Sequence, residues 1–196
     1  MGYYSYDELN ALGITKLGTN VRISKKASLY GGENMQFGND VRVDDFCVLS
    51  GKLEFGNNIH ITCHCILNGS EEGIYFRDYS TLAYRCTIFT RSDDYLGLTL
   101  CNSTIDETYR YKTVKKAVTI GRHGIVGTGS IIFPGANIEE GVSIGAMSLV
   151  LTETEPWWIY VGIPAKKLRE RSRNVLKEED RYMLCKNQNV WWEGEK

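Results

Sequence analysis

Residues 120–150 read IGRHGIVGTGSIIFPGANIEEGVSIGAMSLV, and an apolar side chain returns at every sixth position: Ile120, Val126, Ile132, Ile138, Ile144 and Val150. Four residues after each of the first five stands a small or medium one, Gly124, Ser130, Ala136, Val142 and Ser148. A period of six fits neither a helical heptad nor a long alternating strand. It fits a chain in which each hexad supplies one short strand and one corner, so that three hexads close a triangular coil. The same frame runs back through Leu17-Ile23-Leu29, Phe37-Val43-Leu49, Phe55-Ile61-Leu67 and Phe76-Leu82-Ile88. The pattern predicts about six stacked coils whose strands form parallel ladders around a narrow apolar interior.

The small position of the second hexad holds Ala27, Cys47, Cys65, Cys86, Ser130 and Ser148, all expected to point inward. Three of the six cysteines are thereby read as small buried hydrophobes. Extra residues can leave such a prism only as loops. Short insertions follow Leu29 and Leu67 and a long one, at about 89–118, follows Ile88, so all of them leave from the third hexad along one edge. A long loop in a compact repeat points to function. Ser5-Tyr6-Asp7-Glu8 reads as a capping box opening a short helix to about Leu12, with Gly13 as its stop. Beyond Pro164, Leu168, Val175, Leu176, Met183 and Leu184 recur among charges, which predicts a helix from Ala165 to about Asn187 packed on one face of the prism. The expected organisation is an N-terminal helical cap (1–16), the coils (17–163) and a C-terminal helical extension (164–196).

A chain of 196 residues with 42% hydrophobic content suits one well-buried core. Its 23 basic and 24 acidic residues leave a net charge of −1, so no global field favours nucleic acid or an anionic membrane. The first residues lack the basic and apolar regions of a signal peptide, and no apolar run reaches membrane-spanning length. A cytoplasmic protein is expected, without membrane insertion.

The segments Ile120-Gly121, Val126-Gly127-Thr128-Gly129-Ser130, Phe133-Pro134-Gly135-Ala136 and Gly141 to Val150, with Gly162-Ile163-Pro164-Ala165-Lys166, resemble the hexapeptide-repeat acetyltransferase superfamily that includes galactoside and maltose acetyltransferases. Ser92-Asp93-Asp94-Tyr95 with Gly97, and Glu155-Pro156-Trp157, are similar to its capsule and lipopolysaccharide O-acetyltransferase branch. The resemblance implies an all-β, left-handed parallel β-helix, acetyl-CoA as donor, no metal, a homotrimer, and active sites in clefts between neighbouring prisms. It points to a sugar of a bacterial surface polysaccharide, or its precursor, as acceptor.

Attack of a sugar hydroxyl on a thioester requires a base and a donor for the developing oxyanion. Only three histidines exist. His60, between inward Ile59 and Ile61, must point outward and is the candidate base. In galactoside acetyltransferases that role belongs to a loop histidine at the place of Arg91 to Asp94, and this loop has none. His123 falls on a corner after Ile120, expected to be an exposed turn. His64 sits at the matching corner after Ile61, and Cys63-His64-Cys65 cannot all face one ion. Asp93, Asp94 and Tyr95 are candidates to bind the acceptor or orient the imidazole. By resemblance, the Thr128 N–H meets the oxyanion; Gly127, Ala146 and Thr152 contact CoA; Lys166 and Arg169 meet its nucleotide end. Glu153 replaces the lysine common after that threonine. Lys167, Arg171 and Arg173 read as a solvated helix face. Two alternatives stand beside O-acetylation: N-acetylation of a nucleotide-linked amino sugar, and a non-catalytic or carbonic-anhydrase-like β-helix, whose three separated His ligands His60, His64 and His123 do not match in register.

Overall fold

The computed structural model describes residues 2–14 and 16–188. Every core residue of the hexad frame sits against its counterpart one coil on. On the first face the order is Leu17, Phe37, Phe55, Phe76, Ile120 and Ile138. The second face stacks Ile23, Val43, Ile61, Leu82, Val126 and Ile144. The third stacks Leu29, Leu49, Leu67, Ile88, Ile132 and Val150. All these pairings are parallel, and together they make the expected left-handed parallel β-helix of three-sided coils.

The interior is apolar because each hexad points one large side chain into it. Phe37, Phe55 and Phe76 lie face to face, with ring centroids 4.7 and 5.0 Å apart. The small column is buried along its whole length, from Ala27 to Ser148. Its polar atoms are satisfied by one repeated bond: Cys47, Cys65, Cys86 and Ser130 donate to the carbonyls of Thr62, Ala83, Gly127 and Gly145, at 3.1, 3.2, 3.2 and 3.0 Å. Each acceptor follows the second-face core residue of the next coil. The corner between the first and second faces needs a left-handed backbone, and Asp40, Asn58, Tyr79 and His123 adopt it at φ of 57, 56, 60 and 57°.

Open strand edges at the ends of a stack must be paired or covered. At the first coil Tyr3 bridges Ser24, and the Tyr4 N–H donates to the Ile23 carbonyl. Helix α1 (Tyr6–Ala11) is closed by the Ser5/Glu8 capping box, and its Leu9 is fully buried in the core. At the other end Trp158–Val161 continues the second face alongside Ser143–Ile144. The chain then turns back, and Lys166–Glu170 pairs antiparallel with that strand. The helix expected from Ala165 is therefore a strand over its first part, because the last rung of the second face needs a partner. Helix α2 spans Asn174–Gln188; residues 189–196 of the expected extension lie outside the described residues. Lys167 pairs with Glu155 and sits over the Trp158 ring, Arg173 sits over Trp157, and Arg171 donates to the carbonyls of His123 and Gly141. These three cations hold the turn-back rather than form a solvated helix face. Among the described residues no helix is long and apolar enough to cross a membrane.

Candidate active site

The outward column of the second face runs Arg22, Arg42, His60, Thr81, Ile125 and Ser143. Strand Ile59–Ile61 buries both isoleucines and turns His60 out, as the alternation predicts. One coil earlier, Asp44 follows the core residue Val43, and its carboxylate Oδ2 lies 2.9 Å from His60 Nε2. Its other oxygen accepts from Arg42 Nε at 2.7 Å. Asp44 is buried while the His60 side chain is 41% exposed. A carboxylate on Nε2 fixes the tautomer with its proton there and leaves Nδ1 with the lone pair. Thr62 lies on the same face two residues on, and its hydroxyl oxygen is buried without a partner among the described residues.

His123 is not on an exposed turn. Helix α2 lies along that corner, and Glu179 Oε2 approaches His123 Nε2 to 2.8 Å. The ring stacks on Tyr79 at 5.2 Å between centroids. Glu179 also accepts two bonds from Arg122, while Lys186 of α2 pairs with Asp40. The corner column thus became a docking surface for a helix, which an uncovered prism would have left exposed. His64 stacks on Phe46 at 5.0 Å, and its neighbour Cys65 is buried in the small column.

The long loop begins as a hairpin, Arg91–Ser92 against Val114–Lys115. Asp94 organises its tip, accepting from the N–H groups of Leu96, Leu98 and Thr99 at 2.9, 2.6 and 2.8 Å. Partial desolvation opposes its charge, but these bonds outweigh it and hold the carboxyl below its ordinary value. Asp93 uses one oxygen, Oδ2, to accept from Asn102 N–H at 3.0 Å. Asp93, Asp94 and the exposed Tyr95 line a cavity of about 430 Å³ with Lys112, Phe133 and Leu151.

Gly127, Thr128 and Ala146 lie along the corner between the second and third faces. A Cβ on Gly127 would come within 2.5 Å of the Ala146 nitrogen, so the close approach of these two coils requires glycine. The N–H of Thr128 has no acceptor among the described residues. Thr152 and Lys166 line a cavity of about 280 Å³ at the C-terminal end of the stack, and Lys166 and Arg169 make no ion pair among the described residues. The second face and the loop-bearing edge are opposite sides of one prism, so a single chain does not bring His60 to Asp93, Asp94 and Tyr95.

No family model matches the chain. It is 37% identical over 181 residues to a dTDP-4-amino-4,6-dideoxy-D-glucose acyltransferase of Escherichia coli, covering 91% of this chain and 94% of that one. The chain belongs to the hexapeptide-repeat acyltransferase family. This acyltransferase also superposes on AntD, an N-acyltransferase from Bacillus cereus solved with dTDP and 3-hydroxybutyryl-CoA, with a TM-score of 0.92. The two are 39% identical, over 94% of this chain and 98% of that one. A maltose O-acetyltransferase from Clostridium difficile 630, 22% identical over 85% of this chain and 74% of that one with a TM-score of 0.53, shares the fold alone.

Sequence reasoning missed Asp44 in this acyltransferase. The signal was available: the hexad frame puts Asp44 one coil above His60, on the outward side. Its identification required knowing that the aspartate leans across the coil step instead of facing solvent beside Lys26, which pairs with Asp45.

Proposed function

We propose that the enzyme transfers an acyl group from an acyl-CoA thioester to the amino group of a nucleotide-linked amino sugar. This is the alternative named beside O-acetylation, and it takes the place of the expected acceptor, the hydroxyl of a surface polysaccharide sugar. The observation that carries it is the similarity along nearly the whole chain to an enzyme named for a dTDP-linked 4-amino sugar. A variant of AntD, 40% identical over 93% of this chain, was solved with dTDP-4-amino-4,6-dideoxyglucose and coenzyme A.

In this reading His60 Nδ1 takes a proton from the amine as its nitrogen attacks the thioester carbonyl. The Thr128 N–H donates to the oxyanion of the tetrahedral intermediate. Collapse breaks the C–S bond, and the imidazolium returns the proton to the departing CoA sulfur. Asp44 holds the ring in the required tautomer throughout. Gly127 and Ala146 line the pantetheine arm, Thr152 the adenine side, and Lys166 and Arg169 the phosphates. A second copy brings Asp93, Asp94 and Tyr95 over the second face, since one chain separates them, and a homotrimer closes this arrangement. Asp93, whose Oδ1 takes no hydrogen bond among the described residues, suits an N–H of the sugar amine; Asp94 is occupied in shaping the loop.

The test is CoA release from acetyl-CoA and 3-hydroxybutyryl-CoA with dTDP-4-amino-4,6-dideoxyglucose or its 4-hydroxy counterpart as acceptor. Turnover with the amine and background release with the alcohol is the expected result. Equal turnover with both contradicts nitrogen selectivity.

A further inference from the structure

We propose that Arg22 and Arg42 form a clamp for the diphosphate of the acceptor nucleotide, on the first two coils of the second face. The inference rests on the reading of His60 as the base for a nucleotide-linked amino sugar, and adds where the nucleotide lies. Arg22, Arg42 and His60 are direct neighbours in the ladder. Successive rungs are about 4.8 Å apart, so Arg42 begins one coil step and Arg22 two coil steps from the imidazole. In a hexose carrying its amine at C4 and its phosphate at C1, the two groups lie on opposite sides of the ring. With the amine at His60, the diphosphate falls on the rungs above.

The state of the two arginines fits this. Arg22 is exposed and has neither hydrogen bond nor ion pair among the described residues; its charge reaches the Asp40 carboxylate, which Lys186 and Asn20 already hold. The other cations near it are committed, Lys25 to Glu8, Lys26 to Asp45 and Lys186 to Asp40. Arg42 gives only Nε to Asp44, which orients the guanidinium and leaves its terminal nitrogens for a phosphate. Both oxygens of Asp44 are engaged, by Arg42 and His60, so its charge does not stand open against a bound anion. Below His60 the same column becomes Thr81, Ile125 and Ser143, without a charge. The next cations in that direction, Lys166 and Arg169, belong to the far end of the stack, where the donor's phosphates are assigned. The face is therefore polarised, with the acceptor's diphosphate on the N-terminal side of the base and the donor's on the C-terminal side.

Coenzyme A also carries a diphosphate, and the experiment separates the two. Arg22→Ala, which does not touch Asp44 or His60, should raise KM for the sugar nucleotide about tenfold or more, with kcat and the KM for acyl-CoA nearly unchanged. The affinity for dTDP alone, measured by calorimetry, should fall by the same factor, and Arg22→Lys should recover part of it. A rise confined to the KM for acyl-CoA, or an unchanged dTDP affinity, overturns the clamp. Weakened dTDP binding in an enzyme that fails to acylate the amine supports the clamp and overturns the proposed function instead.

Discussion

His60 meets Asp44 at 2.9 Å and His123 meets Glu179 at 2.8 Å, yet the first histidine side chain is 41% exposed and the second 4%. Asp44 comes from the neighbouring rung of the same face, so the ring it holds stays open to solvent on its other nitrogen. Glu179 comes from helix α2, which covers the ring it holds and ties down Arg122 as well. A histidine with a carboxylate partner is a bolt for a helix at His123 and, under the proposed function, half of a catalytic device at His60. Access to the second ring nitrogen decides between them.

The largest expected effect breaks the comparison if it fails. His60→Ala should lower kcat about 10²–10⁴-fold, the usual contribution of a positioned base, and it leaves the buried Asp44 with Arg42 as its remaining partner, at a stability cost on the order of 1–3 kcal/mol. Under the same assay His123→Ala should keep most of its kcat. Its stability should fall on the order of 1–3 kcal/mol, because the largely covered Glu179 carboxylate loses a hydrogen-bond partner and Tyr79 a stacked ring, so that kcat alone separates the two histidines. Denaturant titration followed by the helical signal measures it, and interchanged outcomes would move the chemistry to the α2 corner.

A smaller effect separates the donor end from the base. Lys166→Ala with Arg169→Ala should raise the KM for acyl-CoA about tenfold and leave kcat nearly intact, since a remote phosphate is bound alike in ground and transition states. A collapse of kcat in steady-state kinetics would instead place these residues at the chemistry or in the fold.

The smallest effect sharpens the role of Glu179. Burial alone would raise its carboxyl, but the hydrogen bonds from Arg122 and then His123 outweigh it and hold the group below its ordinary value. A carboxyl depressed in the folded state stabilises fully above its unfolded pKa of about 4.3, and this is lost as pH falls through the lower folded value. Acidification below about pH 4.3 should therefore loosen α2 while the coils persist, and Glu179→Gln should flatten that dependence. Circular dichroism from pH 6 to pH 3 checks it; a helix signal equally acid-sensitive in both proteins would contradict the assignment.

The coils were legible because their signal is local and repeated: each core residue from Leu17 to Val150 announces its face by its place in the hexad. The outward aim of His60 followed from its neighbours Ile59 and Ile61. The burial of His123 did not, because the helix that covers it lies some fifty residues later and its Glu179, Tyr182 and Lys186 read as an ordinary polar face. Lys166–Glu170 was misread for a related reason. Its charged residues are exposed, so no apolar alternation marks a strand that pairs an open edge. The acceptor was not legible either, since an amine and a hydroxyl ask for the same base and the same polar neighbours, and neither His60 nor Asp93 and Asp94 separates them by residue type.

The central claim, that the acceptor atom is nitrogen, is tested most directly by the lability of the product. The acylated sugar nucleotide should be isolated from a reaction with dTDP-4-amino-4,6-dideoxyglucose, treated with mildly alkaline hydroxylamine, which cleaves oxygen esters, and weighed by mass spectrometry before and after. An amide survives, so the mass should not change. Loss of the acyl group, with acyl hydroxamate formed in equal amount, would show an ester and contradict the account.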